Sequence, residues 1–96
     1  MEHNVTITEV KIRKTYSEGL LMAVVSIVIN DCLAVHDIRI IQGQRLFVAM
    51  PSKKSSDGMS RDLIHPMNIE LRCQMEDEII DAYLRYITTE AANYEE

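Results

Sequence analysis

Residues 21–29, Leu-Met-Ala-Val-Val-Ser-Ile-Val-Ile, carry no charge and are rich in β-branched side chains, a composition that suits an embedded strand far better than a helix. The run is too short and too β-branched to span a bilayer. It therefore reads as the centre of a sheet, buried on both faces, and the flanking segments must supply its neighbours. Residues 5–13 have strand composition, but their apolar positions shift from odd (Val5, Ile7) to even (Val10, Ile12). Side chains alternate strictly along a regular strand, so the shift predicts either a bulge near Glu9 or a strand half-buried on both faces. Ser17-Glu18-Gly19 and Asn30-Asp31 are reversal signals, residues 32–42 make a third strand, and Gly43-Gln44 turns into a fourth over residues 45–50. In the third strand, Leu33, Val35, Asp37, Arg39 and Ile41 alternate imperfectly with Ala34, His36, Ile38 and Ile40, which leaves open which face is wet.

Pro51 has no amide hydrogen to donate, so regular pairing weakens there. A loop follows, Asp57-Gly58 is a turn dipeptide, and residues 61–65 are expected to return as a short fifth strand beside residues 47–50 before Pro66 stops it. Asn68 is a good helix N-cap and Glu70 lies where the helix dipole favours an acid. Leu71, Met75, Ile79, Ala82, Tyr83, Tyr86 and Ile87 then recur at three- and four-residue spacing, which predicts one amphipathic helix over residues 69–87. The expected fold is α+β: a small antiparallel sheet of four to five strands followed by a C-terminal amphipathic helix. A chain of 96 residues makes a single domain with a modest core, its ends, 1–4 and about 89–96, frayed. With no Trp and one Phe, that core is built from Val, Ile, Leu and Met, and pairing through the sheet with a second copy would bury more of them while satisfying an open edge.

The net charge of −5 is unevenly distributed. Residues 1–68 carry eight Lys/Arg against seven Asp/Glu, whereas residues 69–96 carry Arg72 and Arg85 against eight acids. The acidity belongs to the helix, and Glu76, Asp77, Glu78 and Asp81 read as its solvated face. Cys32 and Cys73, with no secretory signal ahead of them, read as reduced packing residues of a cytoplasmic protein. No membrane association is expected.

Catalytic machinery is absent from the pattern. His36 and Asp37 are strand neighbours that point to opposite faces. His3, His36, His65 and the two cysteines lack the paired spacing of a metal site, and no Gly-rich strand-to-helix loop cradles phosphates. Neither a metal nor a cofactor is expected. What remains is a basic turn, Lys53 and Lys54 with Arg61, joined on the same side by whatever Lys11, Arg13, Lys14, Arg39 and Arg45 contribute. Lys and Arg make the phosphate contacts that fix affinity and register on nucleic acid, and Ser52, Ser55 and Ser56 can add neutral hydrogen bonds. Arg72, in the first turn of the helix, is the candidate for reaching base edges.

The chain also carries a recognisable combination: Val35-His36-Asp37-Ile38-Arg39-Ile40-Ile41-Gln42-Gly43, then Leu46-Phe47-Val48-Ala49-Met50-Pro51-Ser52-Lys53-Lys54, then Asp57-Gly58, Arg61-Asp62 and His65-Pro66-Met67-Asn68. Over residues 5–87 it closely resembles the stage V sporulation protein G (SpoVG) family of bacteria. The resemblance implies a small, non-enzymatic cytoplasmic regulator, dimeric through its sheet, that binds DNA and in some members RNA, with effects on sporulation, septum formation or surface and virulence genes. It associates binding with the basic segment and the start of the helix, here Lys53, Lys54, Arg61 and Arg72. Departures are a few extra N-terminal residues, Met67 where Ile is common, and a short tail. Two rival expectations are a protein-interaction adaptor working through a sheet edge or the acidic helix, and a small hydrolase using His65 and Asp62.

Overall fold

The computed structural model describes residues 5–94. Its elements are β1 (Ile7–Thr15), β2 (Leu21–Ile29), β3 (Leu33–Gln42), β4 (Leu46–Ala49), β5 (Ser52–Lys54), β6 (Ser60–Asp62) and α1 (Ile69–Tyr94). The first four strands form one antiparallel sheet in the order β1-β2-β3-β4, and β5 and β6 form a separate two-stranded hairpin. The α+β expectation holds. One detail is corrected: the segment after Asp57-Gly58 pairs with β5 rather than with residues 47–50. Pro51 offers β3 or β6 no N–H, so the chain leaves the ladder there and makes a hairpin of its own.

Irregularities in the strands decide which side chains reach the core. Ile7 pairs with Ile29 but Glu9 with Val28, and Ile12 pairs with Val25 but Lys14 with Val24. Thr8 and Arg13 are thus extra residues, and each resets the phase of β1. Ile7, Val10 and Ile12 all join the core in consequence, which explains the odd-to-even shift in the sequence. The Thr8 hydroxyl fixes its bulge by donating to the Val28 carbonyl at 3.2 Å and accepting from the Asp31 amide at 3.0 Å. In β3, Val35 pairs with Ile27 and Ile38 with Val25, so an extra residue lies between them. Asp37 there has φ of 63°, the left-handed conformation that Asp tolerates better than most residues. Val35, Ile38 and Ile40 all face the core as a result, and the ambiguous alternation is settled.

The turn at Asn30-Asp31 has φ of 52° and 56°, both positive as a type I′ hairpin requires, and the Cys32 amide closes it onto the Ile29 carbonyl at 3.0 Å.

Helix α1 covers one face of the sheet from β4 to β1. Asn68 caps it, its side-chain oxygen accepting from the Leu71 amide at 2.7 Å. Met75, Ile79 and Tyr83 are buried against Val25, Ile27, Ile38 and Ile40, and Ile79 and those four strand residues have no solvent exposure. The apolar stripe outruns its partner: Tyr86 and Ile87 are exposed although they share its spacing, and the helix itself continues past Ile87 to Tyr94. The terminal residues 1–4 and 95–96 lie outside the described residues. β2 is covered on one face only. Ala23, Val25 and Ile27 are buried under the helix, whereas Val24 and Val28 on the other face are half-buried, which corrects the expectation of a strand enclosed on both sides.

The β3 irregularity gives a direct prediction. Asp37→Val puts a β-branched side chain at positive φ and should lower stability in urea unfolding by about 1–2 kcal/mol, while Asp37→Gly, free of that penalty, should not lower it.

Candidate functional site

The β5–β6 hairpin places Lys53 directly opposite Arg61, Ser52 opposite Asp62 and Lys54 opposite Ser60. Cross-strand partners share a face, so Lys53 and Arg61 stand together on one side and Lys54 on the other. All three cations are exposed. Like charges facing each other across a ladder oppose pairing, and the only ion pair that Arg61 makes among the described residues is a 4.0 Å contact with the exposed Asp57, which is weak in water. Geometry in the turn keeps the hairpin closed. The Ser55 amide donates to the Met59 carbonyl at 2.8 Å, the Gly58 amide to the Ser55 carbonyl at 2.9 Å, and the Leu63 amide to the Pro51 carbonyl at 2.8 Å. Gly58 has φ of 86°, a conformation glycine adopts without steric cost. The Asp57 carboxylate accepts from the Ser55 hydroxyl and from the Met59 amide at 3.1 Å. Lys53, Lys54, Ser55, Ser56, Arg61, Asp62 and Leu63 line one open cleft.

Of the five residues singled out in the sequence, Ser52, Lys53, Lys54 and Arg61 thus share one hairpin, Lys53 with Arg61 on one face and Ser52 with Lys54 on the other. Arg72 is held elsewhere: it lines a cleft between the start of α1 and β4 with Val48, Met50, Pro66, Met75 and Glu76. Arg45 also turns away, its guanidinium 3.4 Å from the Glu76 carboxylate. Glu76 accepts from the Val48 amide at 3.2 Å as well, so it is a bridge between helix and sheet rather than part of the solvated acidic face expected for it.

The sheet face away from the helix holds the remaining cations of the strands. Lys11 pairs with Ser26, and Lys14 pairs with Val24, which pairs in turn with Arg39; cross-strand partners share a face, opposite to buried Val25 and Ile27. Ser26 is a residue the sequence reading passed over. Only 6% exposed, it is the one buried polar residue among those described. Its hydroxyl accepts from Arg13 Nε at 3.1 Å and bonds His36 Nδ1 at 2.9 Å. The signal was a lone hydroxyl within an otherwise apolar run.

His65 Nδ1 lies 3.2 Å from the Pro66 carbonyl, and Asp62 is held opposite Ser52 in the hairpin. Cys32 and Cys73 are free and exposed, so neither is the packing residue expected. Among the described residues no cluster of three or more His, Cys, Asp or Glu side chains could hold a metal ion, and no helix is long and apolar enough to cross a membrane.

The turn carries a pH dependence. Hydrogen bonds from the Ser55 side chain and the Met59 amide hold the Asp57 carboxyl below its ordinary pKa. A depressed folded pKa means that the charged form stabilises the turn above the ordinary value of about 3.9 and that this contribution is lost as pH falls through the lower, folded value. Acid titration followed by NMR should move the Gly58 and Met59 amide signals together in that window, and Asp57→Asn should abolish the transition.

Comparison with known proteins places the chain. The SpoVG family model matches residues 5–85. A proposed septation protein of Lachnospira eligens, SpoVG, is 50% identical over 78 residues, covering 80% of this chain and 89% of that protein. The protein of the same name from Acholeplasma laidlawii is 48% identical over 86 residues, 88% of this chain and 92% of its own. That of Bacillus subtilis is 42% identical over 91 residues, 94% of each. With the family match spanning most of its length and identities of this size, the chain belongs to the SpoVG family.

Proposed function

We propose that this protein is a self-associating regulator that binds DNA, and RNA as a second ligand, through the β5–β6 hairpin, and that its binding modulates gene expression linked to sporulation and septation. The observation that carries the reading is the facing pair of Lys53 and Arg61 on a hairpin set apart from the main sheet, with Lys54, next along β5, lining the same cleft. Two like charges held opposite each other oppose folding of the hairpin, and a bound phosphate would relieve that repulsion. The septation link comes from the names of the relatives. Ser52 adds a hydroxyl to the same strand, and Arg72, apart from the hairpin, is assigned the entry to the helix as a separate contact.

Self-association is supported by the surface the single chain leaves uncovered. Leu63, Met67 and Ile69 are 67%, 86% and 73% exposed in one stretch between hairpin and helix, an apolar surface that a second copy would bury. A protein-interaction adaptor would account for the same stretch, but it gives no role to the facing cations.

Fluorescence anisotropy with labelled duplex DNA and with single-stranded RNA at several salt concentrations tests the reading. The native chain should saturate at one duplex per two chains, and Lys53→Ala with Lys54→Ala should weaken binding and make the log-log salt slope shallower by up to about 1.8, or 0.9 per lost phosphate contact. An adaptor would be indifferent to both changes.

A further inference from the structure

We propose that the sheet face opposite the helix is a second phosphate-binding surface, on which Lys11, Lys14 and Arg39, with Arg13 and His36, hold the backbone of a B-form duplex that the hairpin also grips. The assignment rests on the nucleic-acid binding proposed above and extends it beyond the hairpin. Three observations carry it.

The first is where the bulges send charge. By adding a residue at Thr8 and another at Arg13, β1 keeps Ile7, Val10 and Ile12 in the core and turns Lys11 and Lys14 to the open face. Four Lys/Arg and His36 collect there against Glu9 and Asp37, while the acids of α1 lie across the sheet. Ordinary solvated surfaces intersperse both signs; this one is biased to positive in a chain whose net charge is −5.

The second is that part of the face is fixed in place. The Ser26 hydroxyl, on a residue only 6% exposed, bonds both Arg13 Nε and His36 Nδ1. Arg13 spends one donor on it and keeps its two terminal nitrogens for a ligand, and an anchored guanidinium loses less conformational freedom on binding than a free one.

The third is spacing. The cations fall on two lines, Lys11, Arg13 and Lys14 along β1 and His36 and Arg39 along β3, separated by β2. Two strand spacings make that about 10 Å, close to the roughly 12 Å width of the B-DNA major groove, so the lines can meet phosphates on its two sides. The face is also continuous with the hairpin: Arg39 and Val24 share a pocket with Pro51, Ser52 and Leu63, the base of the arm that carries Lys53.

The test is duplex binding by Lys11→Gln/Lys14→Gln/Arg39→Gln, measured by anisotropy beside the Lys53→Ala/Lys54→Ala protein. All three positions are exposed, and an unchanged Tm and far-UV spectrum confirm that the variant is folded. The expected result is at least a tenfold weaker duplex affinity with a salt slope shallower by up to about 2.7. Native affinity and slope in this variant, with binding lost in the hairpin variant, would overturn the second surface and leave the hairpin assignment standing. Loss in the sheet variant alone would uphold the face and overturn the hairpin. A native chain that binds no duplex at low salt would overturn both.

Discussion

A single helix can cover only one face of a sheet, and the structure follows from how this chain meets that constraint. The strands gain most by turning their large apolar side chains toward α1, yet a strict alternation would leave part of the apolar set of β1 and β3 on the open face. The extra residues at Thr8, Arg13 and next to Asp37 correct the phase. Ile7, Val10, Ile12, Val35, Ile38 and Ile40 consequently meet in one core. The polar residues between them are displaced to the other face by the same corrections, which is why the cations of β1 gather with Arg39. Core formation and charge segregation are two results of one backbone arrangement.

Pro51 has a comparable effect at the end of β4. Losing an amide hydrogen ends the ladder, and the chain that follows has only itself to pair with until Asn68 starts the helix. Its hairpin has no apolar core, since Ser52, Lys53, Lys54, Ser60, Arg61 and Asp62 supply none; it is held by the turn at Ser55 to Met59 and by the Pro51–Leu63 bond. Glu76 completes the junction from the helix side by occupying the Val48 amide and Arg45 together. An edge of the main sheet that would otherwise invite pairing is thereby blunted, and the exposed apolar stretch of Leu63, Met67 and Ile69 lies beyond it.

The fold was largely legible in the sequence. The uncharged, β-branched run at residues 21–29 marked β2, the two reversal signals marked its ends, and Asn68 with the stripe through Met75, Ile79 and Tyr83 marked the helix. A bulge near Glu9 followed from the phase shift. The β5–β6 pairing did not, because three-residue strands of Ser, Lys, Arg and Asp carry no apolar alternation to read. Nor did the bulge at Asp37, since a left-handed Asp has no pattern of its own. For the site, the clustering of Ser52, Lys53, Lys54 and Arg61 followed from a tight turn at Asp57-Gly58. The separation of Arg72 and the capture of Arg45 by Glu76 depend on how the helix lies across β4, a tertiary relation that local pattern does not encode. Ser26 was hidden for the opposite reason: a small hydroxyl in an apolar run looks like a packing residue until its partners on β1 and β3 are known.

The molecule that results is two-sided, with cations on the hairpin and open sheet face and acids on the outward side of α1, such as Asp77 and Asp81. The most direct test of that account is NMR chemical-shift mapping of the native protein titrated with a short duplex DNA. The account predicts perturbations at the amides of β5 and β6 and of Lys11, Lys14 and Arg39, with Asp77, Asp81 and Arg85 unmoved. Shifts concentrated along the exposed side of α1, with the hairpin and open face silent, would contradict it.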